Sequence, residues 1–215
     1  KPLLLNFGPI TVKDPAVWRS ALESLRHQPA FFALHHLWRK AGADGGFTWI
    51  HWEPWKGTPS EAEVRKRLRD VFILPSTDPA ETIVSACPGY QDIYPESRPV
   101  LAHAEGETLR VSLDEALASR SNVVQLVTWN DYGEGTMIEP THEFGYRFLE
   151  IVQEANRRRI GSTFTFTAAD LRLPARLYLA RKRTAAPAAD LDAVAESLRE
   201  GDTAAAAAAL DRLGL

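Results

Sequence analysis

The chain has 215 residues, 45% of them hydrophobic and 25% charged, which suits a globular domain with an appendage and excludes general disorder. Its formal net charge of −3 gives no basic footprint for a nucleic-acid partner, and no apolar run is long enough to span a bilayer. A single cysteine, Cys87, excludes an intrachain disulfide and, just before Pro88, reads as a small buried hydrophobe.

The chain opens on Lys1 and runs directly into Leu3 to Phe7, an apolar stretch that reads as a core strand. A chain that starts inside its own core predicts a natural protein that begins further upstream, where any signal peptide for secretion or export to the periplasm would also lie. Four more runs read as strands: Phe31 to His35, Phe47 to Trp52, Thr82 to Ala86 and Val123 to Trp129. They are continuously apolar, as parallel strands covered on both faces are. Helix signals separate them. Asp14-Pro15 introduces Val17 to Leu25, and Ser60 to Glu63 and Ser112 to Glu115 have capping-box spacing. Pro140-Thr141 introduces a helix from Phe144 to Ala155, closed by the basic Arg157-Arg158-Arg159.

Alternating strands and helices predict an α/β class with a mainly parallel sheet. The strand ends carry Phe7-Gly8-Pro9, His35-His36, His51-Trp52-Glu53, Pro88 to Asp92 and Trp129-Asn130-Asp131. Polar and aromatic groups at several strand ends suit a (β/α)8 barrel, whereas a doubly wound sheet would more often show a single glycine-rich phosphate loop, which is missing. Five strands leave the first three βα units of such a barrel unaccounted for. Residues 1–160 are therefore expected to be the C-terminal part of a barrel, and residues 161–215 a helical extension. In that extension, residues 168–178 read as a segment crossing the barrel surface. Ala188 to Leu215 reads as a hairpin turning at Gly201-Asp202 on a stripe of Leu191, Val194, Leu198, Leu210 and Leu213.

The chemistry is concentrated after the last strand. Asp131 and Glu134 stand three residues apart among Trp129, Asn130, Tyr132, Gly133 and Gly135. The spacing is also that of a capped turn, but the glycines disfavour a helix there. Paired carboxylates break glycosidic bonds, one protonating the leaving oxygen and the other acting as base or nucleophile. Trp129 and Tyr132 suit the apolar face of a sugar ring, and Asn130 suits a hydroxyl. His51, Trp52, Glu53 and Trp55, at the end of the third strand, and Tyr90, after the fourth, are further candidates for sugar contact. His35, His36, His51 and His103 show no spacing that supplies three metal ligands, so neither metal nor cofactor is expected.

The stretch Trp129-Asn130-Asp131-Tyr132-Gly133-Glu134 resembles the signature of glycoside hydrolase family 71, the α-1,3-glucanases. Its continuation, Gly135-Thr136-Met137-Ile138-Glu139, resembles that of the related family 99, the endo-α-mannosidases. The resemblance implies a (β/α)8 barrel, an α-linked oligo- or polysaccharide as substrate, Asp131 as the base-side carboxylate and Glu134 as the acid, with Glu139 supporting the loop or touching substrate. Aspartate where family 99 has glutamate implies a wider gap between carboxyls and inversion of the anomeric centre. Similar motifs occur in proteins of bacterial polysaccharide assembly, which gives one alternative; a barrel that binds glycans without cleaving them is another.

Overall fold

The computed structural model describes residues 1–50, 60, 62, 63, 66, 78–93, 100–183 and 186–214. The chain divides into two compact units, Lys1–Glu139 and Pro140–Leu215.

The first unit is built on a parallel five-stranded sheet: β1 (Leu3–Asn6), β2 (Ala30–Leu34), β3 (Gly45–Phe47), β4 (Thr82–Ala86) and β5 (Val123–Leu126), in the spatial order β1-β2-β3-β4-β5. Each strand is followed in space by the next in sequence, with no reversal. Right-handed crossovers that always step the same way leave their connections on one face of a sheet. A doubly wound sheet needs a reversal to cover both faces. The order is therefore that of a curled partial barrel, with one face toward helices and the other toward a barrel interior.

Side chains sort accordingly. Phe31 and Ala33 of β2 pack with Trp38 and Ala41 of helix α2 (Trp38–Ala41), and with Trp18 and Leu22 of helix α1 (Pro15–Glu23). The alternate residues Phe32 and Leu34 cluster with Phe47 and Ile83 on the opposite, interior face. The start of α1 matches its signal: the Asp14 carboxylate accepts from Ala16 N–H at 2.8 Å, with Pro15 in the first turn. The capping box at Ser60 is also formed, with Ser60 N–H donating to Glu63 and Glu63 N–H to Ser60 Oγ.

Two expectations are corrected. β3 runs over Gly45–Phe47 and so shares only Phe47 with the expected run; its two glycines sit where no side chain fits, a Cβ at Gly46 lying 2.7 Å from Trp38. Ser112 does not begin a helix. It lies inside α3 (Glu107–Ala118), buried, where its hydroxyl donates to Cys87 O and accepts from Cys87 N–H, tying the helix to the end of β4. Cys87 itself is buried, and that burial pushes its thiol pKa up to about 12, in keeping with a structural thiol.

The second unit is helical: α4 (Arg147–Ile160), α5 (Leu173–Arg183), α6 (Ala188–Glu200) and α7 (Thr203–Arg212). Its core joins Leu173, Leu177 and Ala180 of α5 to Leu191 and Val194 of α6 and Ala206 and Leu210 of α7. Most of the segment expected to cross the barrel surface, residues 168–178, thus belongs to a helix or its lead-in, with α5 one leg of a three-helix cluster. Helix α4 makes polar bonds forward within this unit: Gln153 donates to Thr167 O, Arg157 to Phe166 O, and Arg172 to Glu150. No helix among the described residues is long and apolar enough to cross a membrane.

Candidate active site

β3, β4 and β5 end over a shared hydrophobic floor of Ile50, Cys87, Tyr90 and Val127. Tyr90 is 1% exposed, and its hydroxyl donates to Asp92 at 2.7 Å. Its ring is part of the floor. Just below, on the interior face, Gln125 Nε2 donates to Thr48 O at 2.8 Å and to Ser85 Oγ at 2.7 Å, linking β5, β4 and the residue after β3 in one polar layer.

The loop after β5 folds back on itself. Thr128 N–H donates to Thr136 O at 2.9 Å, Glu139 N–H to Trp129 O at 3.0 Å, and the Thr128 and Thr136 hydroxyls share a hydrogen bond of 2.8 Å. The Val127–Thr128 peptide bond is cis. Within this frame Asp131 is fixed at three points. Its N–H donates to Thr128 Oγ1 at 3.1 Å, its carbonyl accepts from Thr136 N–H at 3.2 Å, and its Oδ1 accepts from Glu134 N–H at 3.0 Å. The last bond is the capping geometry that the spacing allows, here closing an isolated turn with no helix after it. It occupies one carboxylate oxygen as an acceptor, a role that an ionised base can also fill.

Glu134 is held by its main chain at both ends, through the Asp131 carboxylate and through Gln91 N–H, which donates to Glu134 O at 2.9 Å. Gly135 has φ +64°, and a Cβ there would lie 2.9 Å from Gln91 O, so the turn requires glycine. Trp129 is 55% and Tyr132 53% exposed, a pair of large aromatic faces beside the carboxylates, and Asn130 is exposed between them. The Tyr132 hydroxyl donates to Glu139 Oε1, bridging the two ends of the loop.

That hydrogen bond to Glu139 raises the Tyr132 phenol above its ordinary value near 10, with burial and the Glu139 charge adding to it. A raised phenol means the bond is present below the ordinary value and lost as pH rises through the folded one. Alkaline titration followed at 295 nm, with Tyr132→Phe as the reference, should place Tyr132 above its ordinary range. Glu139→Gln should bring it back down; an unchanged midpoint in that variant would remove the bridge.

The structure thus brings Trp129, Asn130, Asp131, Tyr132, Glu134 and Glu139 onto one hydrogen-bonded loop. His51, Trp52, Glu53 and Trp55 lie outside the described residues. His35 and His36 sit together after β2 with ring centroids 5.1 Å apart, whereas His103 faces the Gly135 carbonyl. No group of three His, Cys, Asp or Glu side chains among the described residues could hold a metal ion. Thr128, Thr136, Gln125 and His103 are contributors that residue type alone does not mark. Thr128 and Thr136 bracket the carboxylates in sequence, whereas His103 is remote from them.

No protein-family model and no curated protein matches the chain. Among solved structures it is similar to a glycoside hydrolase-like protein, with 14% identity and a TM-score of 0.54, over 67% of this chain and 50% of that one. It is also similar to the GH99 endo-alpha-mannosidase from Bacteroides thetaiotaomicron, with 17% identity and a TM-score of 0.48 over 78% of this chain and 56% of that one. The same enzyme in complex with BIS-TRIS-propane gives 18% identity and a TM-score of 0.43, over 69% and 56%. The chain spans about half the length of these structures. The likeness to the first is one of fold, and it agrees with the strand order derived above.

Proposed function

We propose that this chain carries the acid–base end of a glycoside hydrolase barrel that cleaves an α-linked glycan of the α-1,3-glucan or α-mannan type. The observation that carries the proposal is the loop after β5: two carboxylates on one rigid turn, at the C-terminal end of a barrel-type sheet, flanked by two exposed aromatic rings. In this reading Glu134 protonates the glycosidic oxygen and Asp131 takes the proton of the attacking water. Trp129 and Tyr132 stack on the sugar, and Asn130 bonds a hydroxyl. Glu139 acts through Tyr132, whose ring it holds. His51, Trp52, Glu53 and Trp55 are assigned to sugar contact, and residues 1–160 to the catalytic barrel.

The reaction is assigned as inverting. The shorter Asp131 side chain, with one oxygen drawn back to the turn, leaves room for a water, and inverting sites hold their carboxyls about 6.5–9.5 Å apart. The test is hydrolysis of α-1,3-glucan and α-mannan oligosaccharides, with the first-formed anomer read by proton NMR. The expected product has the β configuration; an α product would replace inversion by retention. Binding without cleavage of either glycan would move the assignment to a carbohydrate-binding barrel or to a protein of polysaccharide assembly.

A further inference from the structure

We propose that His103 is the positioning residue of the Asp131–Glu134 turn, a role that rests on the proposed glycosidase reading for its consequence but not for its geometry. Three successive carbonyls of the turn, Gly133, Glu134 and Gly135, each accept a hydrogen bond from the connection between β4 and α3. Ile93 N–H donates to Gly133 O at 3.1 Å, Gln91 N–H to Glu134 O at 2.9 Å, and His103 Nε2 lies 2.6 Å from Gly135 O. The first two donors are main-chain groups that almost any sequence would supply. The third is a side chain, so the sequence chooses it.

A carbonyl oxygen can only accept, so Nε2 must carry the proton. The bond therefore fixes the neutral imidazole as the Nε2–H tautomer, and it persists when the ring is charged. The surrounding chain is shaped to present that ring. A Cβ at Gly89 would lie 2.8 Å from it, so Gly89 leaves the space the imidazole occupies. Tyr90 and Leu101 exchange both of their main-chain hydrogen bonds at 2.8 Å, bringing residue 103 back beside residue 89. Immediately after His103, Ala104, Glu105 and Gly106 all have positive φ, +46°, +53° and +92°, and Gly106 N–H closes the turn on His103 O at 2.9 Å. Left-handed backbone at two successive non-glycine residues is unfavourable on its own, and such outliers persist where the surroundings impose them. Here the turn aims an imidazole at the residue that follows the proposed acid.

Two variants separate the hydrogen bond from simple packing. His103→Gln keeps an N–H donor near the Nε2 position and loses the ring; His103→Phe keeps a ring against Gly89 and loses the donor. The expected result is a fall in kcat of about 10–100-fold in His103→Phe with KM within about threefold, since displacing a reacting group by about 1 Å can cost 10²-fold. His103→Gln should stay within about threefold in kcat. Amide exchange of Gln91 and Ile93 should accelerate in His103→Phe and not in His103→Gln. The opposite ranking would overturn the proposal in favour of ring packing, and unchanged exchange in both variants would overturn it outright. Nitrogen NMR of His103 in the unmodified protein gives a check that needs no variant: an Nδ1–H tautomer would refute the bond. If the unmodified protein cleaves no glycan while exchange and tautomer behave as expected, the glycosidase reading falls and the positioning of the turn stands.

Discussion

Replacing Glu134 by Gln should lower kcat on an α-linked oligosaccharide by about 10²–10⁴-fold, the usual contribution of a general acid, while leaving KM and stability nearly unchanged. Two bonds that position Glu134 run through its N–H to Asp131 and through its carbonyl from Gln91, and both survive when the side chain becomes an amide. What is removed is the proton for the leaving oxygen. A substrate with an acidic phenol as leaving group needs that proton less, so the deficit should shrink on an aryl glycoside.

Asp131 calls for a finer comparison, because its Oδ1 already has a structural task. Asp131→Asn retains an oxygen that can accept the Glu134 N–H but cannot serve as a base. Asp131→Ala loses both, and the lost cap should cost about 0.5–2 kcal/mol of stability. If Asp131→Asn were as active as the parent while Asp131→Ala were slow, Asp131 would be a cap alone and the base would have to be sought elsewhere.

The parts of the fold legible in the sequence are those carried by local signals. Four of the five apolar runs overlie a strand, while the run from Phe47 meets β3 only at its last residue; Asp14-Pro15 and Gly201-Asp202 gave a helix start and a hairpin turn, with Asp202 accepting from Ala205 N–H at 2.9 Å. Where local and tertiary signals conflict, the tertiary one prevailed. Ser112 has the spacing of a helix start, yet its hydroxyl is used by Cys87 on the neighbouring strand. Gly45 and Gly46 carry no apolar signal, but β3 has room for nothing larger. Tyr90 follows a strand end as a site residue would, and it packs with Ile50 and Val127, which come from the segments after β3 and β5. The site divides in the same way. Its carboxylates and aromatic rings are contiguous in sequence and can be read directly. Its supports, Gln91, Ile93 and His103, come from a different connection, and no spacing rule links residue 103 to residue 135.

Gly135→Ala should destabilise the first unit by about 2–5 kcal/mol. Two costs combine. An alanine at φ +64° bears the left-handed penalty of about 1–2 kcal/mol. Its methyl would also stand 2.9 Å from Gln91 O and 3.2 Å from Gln91 N, and forcing an atom into a packed site adds about 1–3 kcal/mol. Those neighbours are main-chain atoms, and Gln91 N–H is the donor to Glu134 O, so relief comes only by parting the two loops. Gly145 provides the control: φ is +55° and nothing lies within 4 Å of a Cβ there, so Gly145→Ala should bear the backbone penalty alone. All six tryptophans lie within residues 1–139, so their fluorescence in a denaturant titration follows the unit that contains Gly135, while circular dichroism follows the helical unit around Gly145. Equal losses from the two substitutions would mean that the contact with Gln91 is not tight. A larger loss at Gly135, with activity falling further than the folded fraction, would show that the close fit of the two loops holds the carboxylates where the reaction needs them.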